Sequence, residues 1–365
     1  MRGNGHALAL VALVFAASGC TSGSSSPSTA PSPTATRETS PPVPASHRPA
    51  LRAHERWIAF QTITSARSGA QAVHLVLQDG RGDFFALDMI PGGEQQHPDW
   101  SPDGTRLAVD VLGANGTPDI WIVNVTDWSS TKLVDCGAPC LWVQEPAWSH
   151  DGRRIAYQRH ITYAGGETST VEVLDLVSGT TSIVYSTGTD KGVFAPRWSP
   201  TDSALVFEQT ASKNGVLLGV SLELLDLAKP GVTTRLVPVE RMANNADWSP
   251  DGTLISFSAP AAGGEPGGAR SDVWVVNVDG TNLRRITDVA TYGGSAVQPT
   301  FTPDGGSIIF KLTDVRVGAS DAMAIVEITG GPPAPAAGMT YVDGDRKSTR
   351  LNSSHIQKSR MPSSA

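Results

Sequence analysis

The sequence is short of charge, of cysteine and of long apolar runs. Charged residues make up 17% of its 365 residues and only three are cysteines, whereas about 25% of the residues in an average domain are charged. No apolar run reaches the roughly 20 residues that a membrane-spanning helix needs. The net charge of −7 disfavours a surface for nucleic acid, because such surfaces are basic. We therefore expect neither a membrane-spanning helix nor a nucleic-acid partner.

Motifs of common hydrolytic and metal-dependent enzymes are also missing. The sequence contains no H-E-x-x-H, no C-x-x-C and no G-x-S-x-G. A zinc site needs closely spaced Cys, His, Asp or Glu ligands, and an α/β-hydrolase carries its serine nucleophile in G-x-S-x-G. The chain as printed is therefore predicted not to be an enzyme and to hold no metal and no cofactor.

Turn-forming residues, in contrast, are abundant. The 37 glycines and 26 prolines together make up about 17% of the chain, against about 12% in average proteins. This composition favours many short elements joined by tight turns and disfavours a helical bundle or a coiled coil. The 39% of hydrophobic residues is enough for a packed core.

Residues 1–20 have the pattern of an export signal. Arg2 is followed by the apolar run Ala7–Ala17, whose 11 residues match the core of a signal peptide and are too few to span a bilayer. The string A-S-G-C that ends at Cys20 resembles the lipobox of bacterial lipoproteins, and this resemblance implies that Cys20 is lipidated. The alternative is a cleaved secretory signal with an unrelated cysteine. We expect an exported protein, anchored by its lipid on the outer face of the cytoplasmic membrane, or in the periplasm or outer membrane of a bacterium with two membranes.

Two further segments are set apart from the middle of the chain. Residues 21–50 are nearly all Ser, Thr, Pro and Ala, a composition with too little apolar surface to fold, so they are predicted to be a disordered tether. Asp345–His355 reads D-R-K-S-T-R-L-N-S-S-H, which resembles a translated sequencing adapter. We interpret residues 345–365 as disordered read-through, with native sequence missing beyond Gly344; the alternative is a genuine basic tail.

Between these segments, residues 52–344 contain a repeat of about 50 residues. Five strings of the type P-x-W-S-P-D-G recur, and their aromatic residues are spaced by 48, 50, 50 and 53 positions. The recurring residues are Trp100, Asp103, Gly104, Trp148, Asp151, Gly152, Trp198, Trp248, Asp251, Gly252, Phe301, Asp304 and Gly305. Two apolar segments of strand length follow each string, and an additional copy without the string begins at Ile58. The sequence therefore has six units.

The repeated string specifies a hairpin turn between two strands. Pro presets the backbone at the second turn position, and Asp-Gly tolerates the positive φ of a tight hairpin. The Trp before the turn is large enough to fill the gap between neighbouring sheets. A lone sheet cannot bury both of its faces, but sheets stacked around a ring can, and this arrangement is the β-propeller. In one unit Thr201-Asp202-Ser203 replaces the Asp-Gly turn, so we expect a looser hairpin there.

The strings W-S-P-D-G-x-x-I-A-F and D-I-W-V-V-N-V-D-G resemble the repeat of TolB-type propellers over residues 52–344. The resemblance implies an all-β fold, a six-bladed β-propeller whose four-stranded antiparallel blades surround a central channel. Propellers of this family close by pairing the two chain ends within one blade. The innermost strand of the first blade is therefore expected from Met339–Asp343, or from native sequence beyond Gly344.

Two sets of residues are candidates for roles beyond the repeat. Cys136 and Cys140 form C-G-A-P-C, which in an exported protein indicates a small-loop disulfide, with a redox-active pair as the alternative. The second set is polar and precedes the P-x-W strings, where the chain enters the strands that line the channel. These candidates for binding at the channel mouth are Gln96, His97, Gln144, Glu145, Asn244, Asn245 and Gln298. The alternative for them is a water-filled pore.

Three functions fit these observations. The first, implied by the similarity to TolB-type propellers, is a monomeric, lipid-anchored and non-catalytic scaffold that binds an envelope protein or peptide. The second is the propeller domain of a truncated prolyl-oligopeptidase-type serine peptidase, since such peptidases carry a similar propeller before their hydrolase domain. The third is a propeller that binds a glycan or another small molecule in its channel.

Overall fold

The computed structural model of the protein describes residues 57–63, 71–77, 85–86, 93–113, 116–163, 166–188, 191–214, 216–260, 270–314, 322–335 and 351–352. These ranges all lie in one compact unit, Ala50–Ala365. The predicted signal with Cys20, the predicted tether and Met339–Asp343 fall outside the described residues. Within the described ranges, no helix is both long and apolar enough to cross a bilayer.

The strands follow the predicted repeat and group into four-stranded antiparallel sheets. The first sheet contains β1 (Trp57–Ile63), β2 (Gln71–Leu77), β3 (Phe85–Ala86) and β24 (Leu351–Asn352). Blade I contains β4 (Gln95–Trp100), β5 (Arg106–Leu112), β6 (Pro118–Asn124) and β7 (Ser130–Val134). Blade II contains β8 (Cys140–Trp148), β9 (Arg154–Tyr163), β10 (Gly166–Asp175) and β11 (Thr181–Ser186).

The remaining strands form three more blades of the same kind. Blade III contains β12 (Val193–Trp198), β13 (Ala204–Lys213), β14 (Val216–Asp226) and β15 (Thr233–Val237). Blade IV contains β16 (Asn244–Trp248), β17 (Leu254–Pro260), β18 (Ser271–Asn277) and β19 (Arg284–Arg285). Blade V contains β20 (Gly294–Phe301), β21 (Ser307–Asp314), β22 (Ala322–Glu327) and β23 (Ala334–Pro335). Short 3₁₀ helices, Val239–Arg241 and Ala290–Tyr292, precede β16 and β20.

The predicted count of six blades is corrected to five. Five blades are each built from four consecutive strands, whereas the unit that contains β1 has no W-S-P-D-G string before Trp57 and therefore no innermost strand of its own. In the first sheet that position is held by β24, which pairs antiparallel with β1 through Gln61–Asn352 and Thr62–Leu351. β24 lies within residues 345–365, whose interpretation as read-through stays a prediction.

The core consists of five apolar clusters, each of which lies between two successive sheets. Trp148, for example, packs with Ile120 of blade I and Tyr157 of its own blade II, and Trp248 packs with Leu222 of blade III and Phe257 of blade IV. The four tryptophans of the repeat are only 4–6% exposed. Burying one Trp at about 25 cal/mol per Å² stabilises the fold by about 4–6 kcal/mol. The aromatic residue of each string therefore joins neighbouring blades, as the sequence predicts.

The turn of each string has the expected tight geometry, including the one that departs from the repeat. In blade I, Gly104 has a φ of 69° and its amide donates to the Ser101 carbonyl over 2.9 Å. In blade III, Asp202 takes the same left-handed conformation with a φ of 58°, and its amide donates to the Ser199 carbonyl over the same 2.9 Å. The predicted looser hairpin is therefore wrong, because aspartate tolerates this conformation better than most residues.

Candidate functional site

The innermost strands of blades I to V share a β-bulge at the same place, and β8 has a second register shift near its start, between Cys140 and Trp142. The strand register shifts once between β4 and β5, and again in the equivalent pair of each other blade. One residue in each bulge has a positive φ between 47° and 58°, which is uncommon for residues other than glycine. These residues are His97, Glu145, Ala195, Asn245 and Gln298. Four of the five are channel candidates from the sequence, and Gln96, Gln144 and Asn244 directly precede three of them.

The bulges turn backbone amides toward the preceding blade. In four of them the amide of the positive-φ residue donates to a side chain of the blade before it. The bonds join Glu145 N to Asp110 Oδ1 (3.1 Å), Ala195 N to Glu145 Oε2, Asn245 N to Glu208 Oε1 (2.5 Å) and Gln298 N to Ser258 Oγ (3.0 Å). The predicted candidates thus take part in joining the blades around the channel.

Three of the acceptors, Asp110, Glu208 and Ser258, belong to a second polar position that the sequence analysis missed. It lies on the second strand of each blade, directly after the apolar triplet that follows the turn, and its members are Asp110, Gln158, Glu208, Ser258 and Lys311. All five are buried. Their spacing of 48, 50, 50 and 53 residues equals that of the aromatic positions. A polar residue recurring at one place in an otherwise apolar strand was the available signal.

His97 is the centre of a charged group within this layer. Its Nδ1 lies 2.8 Å from Asp110 Oδ1, and its Nε2 lies 3.8 Å from Glu145 Oε1. Burial would lower the pKa of His97, but the carboxylates of Asp110 and Glu145 outweigh burial and the opposing charge of Arg197, so its pKa is raised. This imidazole therefore lies between carboxylates of two successive blades.

A third set of inward residues lies beside the aromatic position of each string. It consists of Asp99, Ala147, Arg197, Asp247 and Thr300. Asp99 Oδ2 accepts from the Trp148 backbone amide over 2.5 Å. Asp247 Oδ2 accepts from the Thr300 hydroxyl over 2.7 Å and from the Phe301 amide over 3.1 Å. These carboxylates again connect one blade to the next.

Two carboxyl groups near the channel axis have strongly raised pKa values. Burial raises the pKa of Asp99 to about 8, with a further contribution from the charge of Asp247, while Arg197 and the Trp148 amide oppose this. Burial also raises the pKa of Glu208 to about 8, assisted by Glu145. Asp99 and Asp247 are on blades I and IV, so their interaction crosses the channel.

The channel opens into a cavity of about 90 Å³ at the end where the turns lie. We call it the tryptophan cavity, and its lining consists of Trp100, Pro102, Ala147, Trp148, His150, Arg197, Trp198, Pro200, Asp247, Trp248 and Thr300. None of the predicted channel-mouth residues lines it. The bulge residues precede the aromatic residue by three positions, about 10 Å along an extended strand. The predicted channel-mouth residues therefore lie at the level of the bulges, and binding by them stays a prediction.

The two cysteines lie away from this cavity. Cys136 and Cys140 are joined by a disulfide between β7 and β8, and both are buried beside the core cluster of blades I and II. The Cys136 amide donates to Asp119 Oδ1 over 2.8 Å. Within the part of the chain that the structure describes, no group of three or more His, Cys, Asp or Glu side chains could hold a metal ion.

Four-stranded antiparallel blades around a polar channel define the protein as a β-propeller. Within this class, residues 141–314 match the family model of the TolB beta propeller domain, PD40. An uncharacterised protein of Agrobacterium fabrum is 25% identical over 224 residues, which cover 60% of this chain and 66% of that protein. The chain thus spans slightly less than two thirds of this curated relative.

Solved structures show the same fold. A candidate TolB from Agrobacterium tumefaciens has a TM-score of 0.53 and 21% identity, covering 77% of this chain and 88% of that one. TolB from Acinetobacter baumannii has a TM-score of 0.54 and 16% identity, covering 75% and 62%. The propeller domain of the Trilobed protease from Pyrococcus furiosus, described as having an open velcro topology, has a TM-score of 0.50 and 14% identity, covering 77% and 85%. The chain is therefore a TolB-like propeller in fold.

Proposed function

We propose that this chain is a non-catalytic propeller that binds a segment of another protein in the tryptophan cavity. The observation that carries the proposal is the cavity itself, in which four tryptophans surround inward polar groups of blades III, IV and V. Aromatic side chains with a few placed polar groups are typical of binding sites. The carboxylates beside the bulges, Asp110 and Glu208, instead accept hydrogen bonds from the next blade, so their role is structural.

The first sheet completes the ring as a sixth blade in this proposal. β1 presents the edge that β24 partly covers through two residue pairs, while the innermost strands of the five blades run for five to nine residues. Uncovered strand edges promote aggregation, so closure also favours a monomer.

The proposed location is the cell envelope. The export pattern of residues 1–20 and the lipobox-like string at Cys20 support it, and the fold likeness to TolB proteins agrees with it. A lipid on Cys20 would hold the propeller to a membrane, with residues 21–50 as the tether.

Site-specific photo-cross-linking tests the binding proposal. A photoreactive residue replaces Thr201, which is exposed in the turn after Trp198 at the cavity, and in a matched variant it replaces Thr180, which is exposed in the outer hairpin of blade II. We expect the Thr201 variant to form a discrete adduct with one envelope protein, competed by unlabelled propeller. Adducts of equal yield from both positions, or none from Thr201, would overturn the proposal.

A further inference from the structure

We propose that the tryptophan cavity recognises a lysine or arginine side chain of its partner, which enters between Asp99 and Asp247. This inference rests on the proposed function and specifies the chemistry of the bound segment. Three observations support it. Asp99 has a buried oxygen without a hydrogen-bond partner in the described part of the chain, the carboxylates around the Arg197 guanidinium outnumber it, and tryptophans line the cavity.

Asp99 is in contact with residues that line the cavity. The residue that follows it is Trp100, and the amide that donates to its Oδ2 belongs to Trp148. Arg197 and Asp247 both act electrostatically on it, and all four of these residues line the cavity. Asp99 is only 1% exposed, and its Oδ1 has no hydrogen-bond partner among the described residues. A buried acceptor without a partner is costly, so a donor from a ligand would stabilise this position.

The charge around this position favours a cationic donor. Among the residues that line the cavity, Arg197 is the one with a permanent positive charge. Its Nη1 donates to the Pro196 carbonyl over 2.8 Å, and its charge is shared between Asp99 and Glu208. Asp247 adds a further carboxylate, which repels Asp99 across the channel. An ammonium or guanidinium group between Asp99 and Asp247 would relieve this repulsion and donate to the open oxygen.

The tryptophans that line the cavity suit the same ligand. The aliphatic part of a lysine or arginine packs against indole rings, and its charge is attracted to their faces. The fold already uses this attraction at the cavity, since the Arg106 guanidinium lies 4.6 Å from the Trp148 ring centroid and that of Arg154 lies 4.5 Å from Trp198. The charges of these two arginines are balanced by Asp103 and Asp151.

Titration calorimetry on the full chain with defined peptides tests the inference. The probe is Ac-Gly-Lys-Gly-Lys-Gly-NH₂, and the control peptide carries norleucine in place of lysine. The variants Asp99→Asn and Asp247→Asn keep an acceptor for the hydrogen bonds from blades II and V but remove the charge. We expect each to weaken binding of the lysine peptide about tenfold, the lower end of what a hydrogen bond to a charged group contributes. Asp127→Asn, in an exposed turn of blade I, should leave the affinity unchanged.

Proton linkage gives a second measurement that needs no variant. Because a bound cation favours the ionised form of Asp99, binding should release a proton, and the affinity of the lysine peptide should increase between pH 6.5 and pH 8.5. This measurement decides the matter if thermal melts show that both variants fail to fold.

Three results would overturn the inference. They are equal affinity for the lysine and norleucine peptides, unchanged affinity in both cavity variants, and an affinity that does not rise with pH. Spermidine binding as tightly as the lysine peptide would also reject a protein segment as the source of the cation. If the Thr201 probe captures one envelope protein but the lysine peptide does not bind, the inferred ligand chemistry is rejected and the proposed function stands. If the cross-linking and the peptide titration both fail, the proposed function and the inferred ligand chemistry are both rejected.

Discussion

His150 and Asp202 join the turns of blades II and III, because Nδ1 of the imidazole lies 3.0 Å from Oδ1 of the carboxylate. Asp202 also accepts from the backbone amides of His150 (2.7 Å) and Asp151 (2.8 Å). At the equivalent junctions a glycine of one turn lies against a proline of the preceding turn, as Gly152 does against Pro102. The two departures from the repeat therefore occur as a pair, and a polar contact takes the place of an apolar one.

A double-mutant cycle should reveal this pairing. His150→Pro alone removes two donors from a partly buried carboxylate, and Asp202→Gly alone removes three accepted hydrogen bonds, so each should lower the free energy of unfolding by about 1–2 kcal/mol. The double variant restores the Pro–Gly junction of the other blades, so it should recover about 1 kcal/mol or more relative to the sum of the single effects. Urea denaturation measures all four proteins. Additive effects would show that the two positions are independent.

The apolar scaffold could be predicted from the sequence, because a fixed spacing of large aromatic residues has one obvious use. Trp148 and Trp248 join successive blades as expected. The site could not be predicted in the same way. A bulge adds one residue and reverses which side chains face the channel after it, and no sequence signal placed a bulge at His97 or Gln298. The role of Asp202 was also hidden, because its partner His150 is 52 residues away.

The pH dependence of stability should carry the signature of the buried carboxyls. Burial raises the folded-state pKa values of Asp99 and Glu208 to about 8, from ordinary values of 3.8 and 4.5. Between the unfolded and folded pKa values, the folded state keeps protons that the unfolded state has lost. The contribution of these two groups therefore lowers the stability of the protein as the pH rises from about 4 to about 8. Above pH 8 their contribution stays constant. Asp99→Asn and Glu208→Gln remove the titration. We therefore compare the free energy of unfolding of each variant with that of the parent at the same pH. This difference should favour the variant more at pH 8.5 than at pH 5, by roughly a few kcal/mol.

Thermal melts of the parent and the two variants across this pH range measure the effect. Glu240→Gln, on the 3₁₀ helix before β16 and exposed, is the matched control and should follow the parent. A stability difference between parent and Asp99→Asn that stays constant with pH would contradict the raised pKa.

The amide-to-side-chain bonds between blades should contribute measurably to stability. Ser258 is fully buried, and its hydroxyl accepts from the Gln298 amide over 3.0 Å. Ser258→Ala leaves that amide without this acceptor and should cost about 1–3 kcal/mol. Ser256, buried on the same strand, makes a weaker contact of 3.4 Å to the Asp247 carbonyl, so Ser256→Ala should cost less. Equal losses in urea denaturation would reject a specific role for the bulge amide.

Deleting residues 345–365 distinguishes a native strand from read-through. Two residue pairs join β24 to β1, so this strand adds few backbone hydrogen bonds to the first sheet. If the segment is read-through, its deletion should shift the Tm by less than about 2 °C, which for a domain of this size is under about 1 kcal/mol. A larger fall would mean that β24 is an integral strand of the first sheet.

The disulfide should stabilise the fold without taking part in binding. Closing a five-residue loop such as Cys136–Cys140 lowers the entropy of the unfolded chain by an amount worth about 2 kcal/mol. The double variant Cys136→Ser/Cys140→Ser should lose about this much in urea denaturation, because its two sulfur positions lie in the core between blades I and II. The affinity of the lysine peptide should not change, since neither cysteine lines the tryptophan cavity. If the double variant is fully folded but binds the lysine peptide more weakly, the disulfide affects the cavity and its role is not purely structural.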